Sequence, residues 1–213
     1  MRPEVAAPTE EDGELMRADA RRNRERLLDA AVELILEIGG EPSRDSLAER
    51  AGVGIGTLYR HFPDSQSLLE AVAQHVLERS ITAGEACLRG SADGFEALRQ
   101  YMHAAVDNGI AVVNLIVPLL DNPSWPEQRA RAEAMIHTLI ERGQREGRLR
   151  RDATPADIVF ATIRFSRPLA VGLAATDERA IAHRHIDIYV DGLGEPARHR
   201  DKPATRGLKK RKR

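Results

Sequence analysis

Cysteine is nearly absent: Cys87 is the only one in 213 residues. An intrachain disulfide and a cysteine-rich zinc cluster are therefore excluded. Aromatic residues are scarce, with one Trp, three Tyr and four Phe, and the β-branched or aromatic runs that mark strands are few. Nowhere do 18 uncharged residues follow one another, and the first 26 contain no apolar run. Neither a membrane-spanning helix nor a secretory leader is expected, and the expected location is the cytoplasm without membrane association. Also missing are a glycine-rich phosphate loop, a nucleophile motif and any metal-ligand spacing. His183 and His185 stand two apart, so on one helix they point to different faces and cannot chelate together. An enzyme is not expected, nor is a cofactor or a metal.

What is present points to helices. Apolar residues make up 42% of the chain and charged residues 31%, an ordinary globular balance. The sequence is rich in Ala, Leu, Glu and Arg, all good helix formers, and the expected class is all-α. The net charge of −1 hides an asymmetry. Residues 198–213 carry nine Arg or Lys against Asp201 alone, a net of +8, so the rest of the chain sums to −9. A body that acidic repels DNA at long range unless its cations are locally clustered.

Along the chain, residues 1–20 read as a disordered arm and 196–213 as a basic disordered tail. From Arg21 the pattern is helical, with Leu27, Leu28, Ala31, Leu34, Ile35 and Ile38 on one face. Gly39-Gly40 and Pro42 end that helix. Ser43 is placed to cap a short helix running to about Ala51, and Gly52-Val53-Gly54 makes a tight turn. A second short helix runs from Ile55 to His61. Asp64 or Ser65 caps a longer one, with Leu68, Leu69, Val72, Val76 and Leu77 recurring on one face. Further helices are expected at about 93–108, 110–121, 126–146, 155–174 and 177–193, with Pro168 kinking the fourth of these. The division is a DNA-binding unit at 21–64 and a linker helix plus second helical domain at 65–195.

Residues 43–62 carry the functional signal. Leu47, Ala48 and Ala51 face inward on the first short helix, and Gly52 permits the positive φ of a tight helix-to-helix turn. Val53 and Leu58 lock the pair against the preceding helix. Ile55, Gly56, Thr57, Tyr59, Arg60 and His61 are left exposed on the second, a small donor-rich surface able to enter a major groove about 12 Å wide. Gly56 is unfavourable within a helix by about 1 kcal/mol relative to Ala, and close approach of backbone to DNA is a reason to keep it. A plain helical hairpin has the same spacing, yet it would show Glu and Lys where this one shows Tyr59, Arg60 and His61.

The run Ala48-Glu49-Arg50-Ala51-Gly52-Val53-Gly54-Ile55-Gly56-Thr57-Leu58-Tyr59-Arg60-His61-Phe62-Pro63 resembles the N-terminal signature of TetR-family regulators. The resemblance is specific over about 23–80 and diffuse elsewhere. It implies a helix-turn-helix with Ile55–His61 as recognition helix, a C-terminal domain for dimerisation and effector binding, a palindromic double-stranded operator and a small-molecule effector. By the same resemblance Ser43 matches a polar cap that touches phosphate, Thr57 and Tyr59 match DNA-surface contacts, and His61 matches a backbone contact. Two positions depart from the pattern: Ser65 stands where Lys or Arg is usual, and Arg44 where an apolar residue is usual. A basic cluster of Arg17, Arg21, Arg22, Arg24 and Arg26 precedes the hairpin, either along the DNA backbone or as a solvated face.

In the second domain, Tyr101, Met102, Leu119, Trp125, Met135, Phe160 and Phe165 are candidates to line an apolar cavity, with His103, His137 and Arg164 orienting a ligand. Ordinary core packing is the competing account for each. Ile158, Leu169, Leu173, Ile181, Ile186 and Tyr189 make the last two helices too apolar for one-sided packing, which points to a homodimer through a four-helix arrangement. A helical effector- or partner-binding protein without operator recognition is the alternative.

Overall fold

A computed structural model describes residues 10–167 and 174–194. Among these residues there are nine helices and no strand. They are α1 (Glu10–Ile38), α2 (Arg44–Ala51), α3 (Ile55–His61), α4 (Ser65–Gly90), α5 (Gly94–Asp107), α6 (Ala111–Ile116), α7 (Pro126–Arg145), α8 (Pro155–Ser166) and α9 (Ala175–Leu193), with a 3-10 turn at Val117–Leu119 after α6. Pro168, Leu169, Leu173 and the basic tail lie outside the described residues, so the expected kink and two of the interface candidates do too.

Local chemistry sets the short helices. Ser43 accepts a hydrogen bond from the Ser46 N–H at 3.1 Å and caps α2. Gly52 ends α2 at φ +65, a left-handed conformation that glycine adopts without steric penalty. Asp64, rather than Ser65, caps α4, accepting from the Ser67 N–H at 2.7 Å in a reciprocal capping box.

The expected start of α1 at Arg21 is corrected, since the helix already runs from Glu10. Residues 10–20 are mostly helix formers with acids at the amino end, and they extend the helix without a core to pack on. Leu15 and Met16 on this extension are exposed, and so is Ile38 at the other end, off the buried face to which the spacing assigned it.

Two cores follow. In the first, Leu27, Leu28, Ala31 and Ile35 of α1 pack with Leu47, Leu58, Phe62 and the α4 residues Leu68, Leu69, Val72 and Val76, joined by Val112 and Ile116 of α6 and by Trp125. The front half of α4 and α6 thus belong to the same core as the hairpin, and a division at residue 64 cuts through it. The second core joins α5, α7, α8 and α9 through Leu98, Met102, Leu139, Ile158, Ile186 and Val190. At its top, a Cβ on Gly94 would stand 2.3 Å from the backbone nitrogen of Gly143, so only glycine lets α5 begin against α7. A polar chain then ties α5 to α9. Arg99 reaches Asp187 at 2.8 Å and Asp191 at 2.5 Å, and His103 meets Asp187 at 3.0 Å. The Nδ1 atoms of His103 and His183 are 2.7 Å apart, and His183 Nε2 is 3.0 Å from Asp107.

Candidate nucleic-acid interface and interdomain cavity

The candidate DNA-facing surface is built outward from Leu58, the one fully buried residue of α3. With Leu58 anchored, helical spacing turns Ile55, Gly56, Tyr59 and Arg60 to solvent, with Ile55 41% and Tyr59 50% exposed. Thr57 and His61 are half-buried, at the edges of this surface rather than at its centre. A Cβ placed on Gly56 would meet nothing within 4 Å, so no packing within the protein accounts for that glycine.

Cations frame the helix. Arg44, half-buried, lies over the Tyr59 ring at 5.8 Å and donates to the Phe62 carbonyl at 3.4 Å, so this departure from the usual apolar residue supports the hairpin. Arg24 of α1 stands over the Phe62 ring at 5.3 Å, which brings one member of the N-terminal arginine cluster to the site. Burial lowers the His61 pKa, and the nearby Arg24 and Arg60 lower it further. Arg50 is turned away: it holds Glu37 of α1 through two bonds at 2.8 and 2.9 Å, clamping α2 to α1. Its guanidinium keeps the Glu37 carboxyl below the usual range. The Ser65 hydroxyl donates to Glu41, which brings a carboxylate to the start of α4.

The candidates for a ligand cavity do not converge. Trp125 belongs to the first core, and Tyr101, Met102 and Met135 to the second. Burial pushes the Tyr101 phenol up to about 12. Leu119 is exposed, and its carbonyl accepts from Gln66 of α4 at 2.9 Å. His137 is exposed beside Glu141 at 3.5 Å, His103 is committed to the α5–α9 chain, and Phe160 is 61% exposed. Arg164 and Phe165, by contrast, line a cavity. This one, of about 790 Å³, lies between α1 and the α8–α9 pair, a place that spacing within the second domain could not indicate.

The interface candidates divide as well. Ile158 and Ile186 are fully buried within the second core and are unavailable to a partner. Both fall on the i, i+4 face that packs against the chain's own helices. Ile181 lines the cavity, and Tyr189 bridges α9 to α8 by donating to the Asp157 carbonyl at 3.1 Å. The exposed apolar residues of these helices are instead Phe160 and Ile188. Their signal was that they sit off the buried face.

Among the described residues no group of three or more His, Cys, Asp or Glu side chains is arranged to hold a metal ion, and no single helix is long and apolar enough to cross a membrane.

Comparison with known proteins bears on the whole arrangement. Residues 27–72 match bacterial regulatory proteins of the tetR family, and residues 93–195 match the C-terminal domain of SbtR-like transcriptional regulators. An HTH-type transcriptional regulator of Staphylococcus aureus is 44% identical over 68 residues, which span 32% of this chain and 37% of that protein. The chain therefore matches little more than a third of the length of such relatives. A TetR transcription regulatory protein from Mycobacterium vanbaalenii is 30% identical, with 84% of this chain and 99% of that one aligned at a TM-score of 0.58. A TetR transcriptional regulator from Streptomyces coelicolor is 26% identical over 82% of this chain and 99% of that one, at a TM-score of 0.64. With both halves matched by sequence and the likeness in fold running across them, the chain belongs to the TetR family of bacterial transcriptional regulators.

Proposed function

We propose that this protein is a cytoplasmic, dimeric repressor that binds a palindromic double-stranded operator and is released from it by a small molecule. The observation that carries the DNA-binding part is the surface of α3. Ile55, Gly56, Tyr59 and Arg60 project from a helix anchored by the buried Leu58, with Arg44 and Arg24 set beside it to meet phosphates. In this reading Tyr59 and Thr57 read base edges, and Arg60, His61 and Ser43 position the backbone.

A palindrome needs two recognition helices about 34–36 Å apart, one turn of B-DNA. Dimerisation through the outer faces of α8 and α9 supplies the second copy, and the exposed Phe160 and Ile188 are its apolar contacts. The second domain then serves both the dimer and the effector.

Fluorescence anisotropy with DNA from upstream of the protein's own gene tests the reading. Specific binding is expected, and Tyr59→Ala should weaken it by roughly 1–3 kcal/mol. Sedimentation of Phe160→Glu should give a monomer with weakened operator binding. Binding no tighter than to scrambled DNA would favour a partner-binding protein without operator recognition, for which the acidic body and the Ser65–Glu41 pair are the support.

A further inference from the structure

The cavity between α1 and the α8–α9 pair has its paired and unpaired charges on different helices. Five acids line it, and all are engaged. Asp29 holds His75 at 2.9 Å and Arg79 at 2.6 Å, Glu33 and Glu37 share Arg50, and Asp107 holds His183 at 3.0 Å. Glu178 has an interaction of its own. The cations of α8 and α9, the wall that also carries Glu178, are different. Arg164 and Arg167 near the end of α8 and Arg179 near the start of α9 line the cavity with no carboxylate within ion-pair distance among the described residues. The apolar part of the lining comes from Val32 and Leu36 of α1, Ile181 of α9, and Phe165, whose ring packs on His185 at 5.8 Å and on Tyr189 at 5.6 Å.

An apolar floor with uncompensated guanidinium groups on one rim is complementary to an amphipathic anion. The volume of about 790 Å³ falls in the range of small-molecule sites. Guanidinium is suited to such a role, because its planar donors match a carboxylate or sulfonate and it is weakly hydrated. A neutral ligand of the same shape would leave those donors to solvent and gain only the floor.

We propose that this cavity is the effector site, and that it takes an organic anion with an apolar body, the anion on Arg164 and Arg179 and the body against Val32, Leu36 and Phe165. This deepens the reading of a ligand-released repressor and rests on it for the regulatory consequence. The position supplies a route for that consequence. Residues of α1 that touch the cavity lie on the helix that packs against α2 and α3, while the arginines lie on the helices proposed to hold the dimer. A molecule held by both sides resets the distance between recognition surface and dimer axis.

Calorimetric titration of the full chain without DNA tests the site, using decanoate and naphthoate as anionic probes and decanol as the neutral control. Decanoate should bind at least tenfold more tightly than decanol. Arg164→Gln with Arg179→Gln should bring the two to parity and leave decanol unchanged, whereas Lys at both positions should retain the preference. Leu36→Trp should fill the cavity and abolish both. Both arginines are exposed, so the variants are expected to fold, and the lysine pair keeps the test decisive if the glutamines disturb stability. Failure of both anions to bind, equal affinity for decanoate and decanol, or an unchanged preference in the double glutamine variant would each overturn the proposal. Operator binding is measured on the same preparation. Protein that binds the operator and ignores the anions sinks the cavity alone, and protein that binds anions and no DNA sinks the repressor reading alone.

Discussion

At the scale of single residues, α3, the proposed recognition helix, carries two residue choices that protein stability does not explain. Gly56 stands in a helix with open space around it. Gly56→Ala should therefore stabilise the fold, by up to about 1 kcal/mol from helix propensity, while weakening operator binding because the new methyl meets DNA. Thermal unfolding and anisotropy on one sample separate the two effects, and equal affinity would show that DNA does not approach that point. His61 has its pKa lowered by burial and then by Arg24 and Arg60. The folded protein thus declines a proton that the unfolded chain accepts near pH 6.5. The stability it contributes is complete above that value and is lost as pH falls toward the depressed folded pKa. In the proposed complex a phosphate beside His61 would reverse the repulsion, so binding should take up a proton. Operator affinity is expected to rise between pH 7.5 and 6, by at most about tenfold per unit for one proton, and His61→Gln should flatten the profile. A wild-type profile as flat as the variant's would place His61 away from phosphate.

At the scale of elements, legibility followed the locality of the cause. Caps and turns act over three or four residues, so Ser43, Gly52 and Asp64 marked the boundaries of α2, α3 and α4 in the sequence itself. Leu47, Ala48, Ala51 and Leu58 were readable as inward for the same reason. Partner choice among the later helices was not readable. Apolarity says that Ile158 and Ile186 are buried and says nothing of whether their own chain or a second copy buries them. Nor does it reveal that His103 faces His183 across eighty positions of sequence, or that Trp125 joins the hairpin's core. The α5–α9 chain now makes its own prediction. Arg99 is 20% exposed and bonds two carboxylates of α9, so Arg99→Met should lower stability by about 1–2 kcal/mol. Asp191 is 70% exposed, and Asp191→Asn should change stability by less than about 0.5 kcal/mol. Urea denaturation checks both, and equal effects would mean that the chain does not fasten α9.

At the scale of the whole molecule, charge is divided in a way that bears on DNA. The last 16 residues carry a net +8 and the rest of the chain −9. An acidic body slows approach to DNA, and a local cationic patch must offset it. On α3 and its surroundings that patch is small, because Arg50 is spent on Glu37 and Glu33, and Ser65 with Glu41 replaces a cation at the start of α4. Sequence-independent affinity is then expected to come largely from the tail, by release of counterions from the phosphates its nine basic residues neutralise. A chain truncated after Ala197 should bind random DNA more weakly and with a flatter dependence of log affinity on log salt. Its preference for operator over random DNA should persist, since the proposed base contacts lie on α3. Anisotropy across a salt series with both chains measures each quantity. An identical salt slope with and without the tail would assign those nine charges to solubility, and a lost preference would move part of the specificity into the tail.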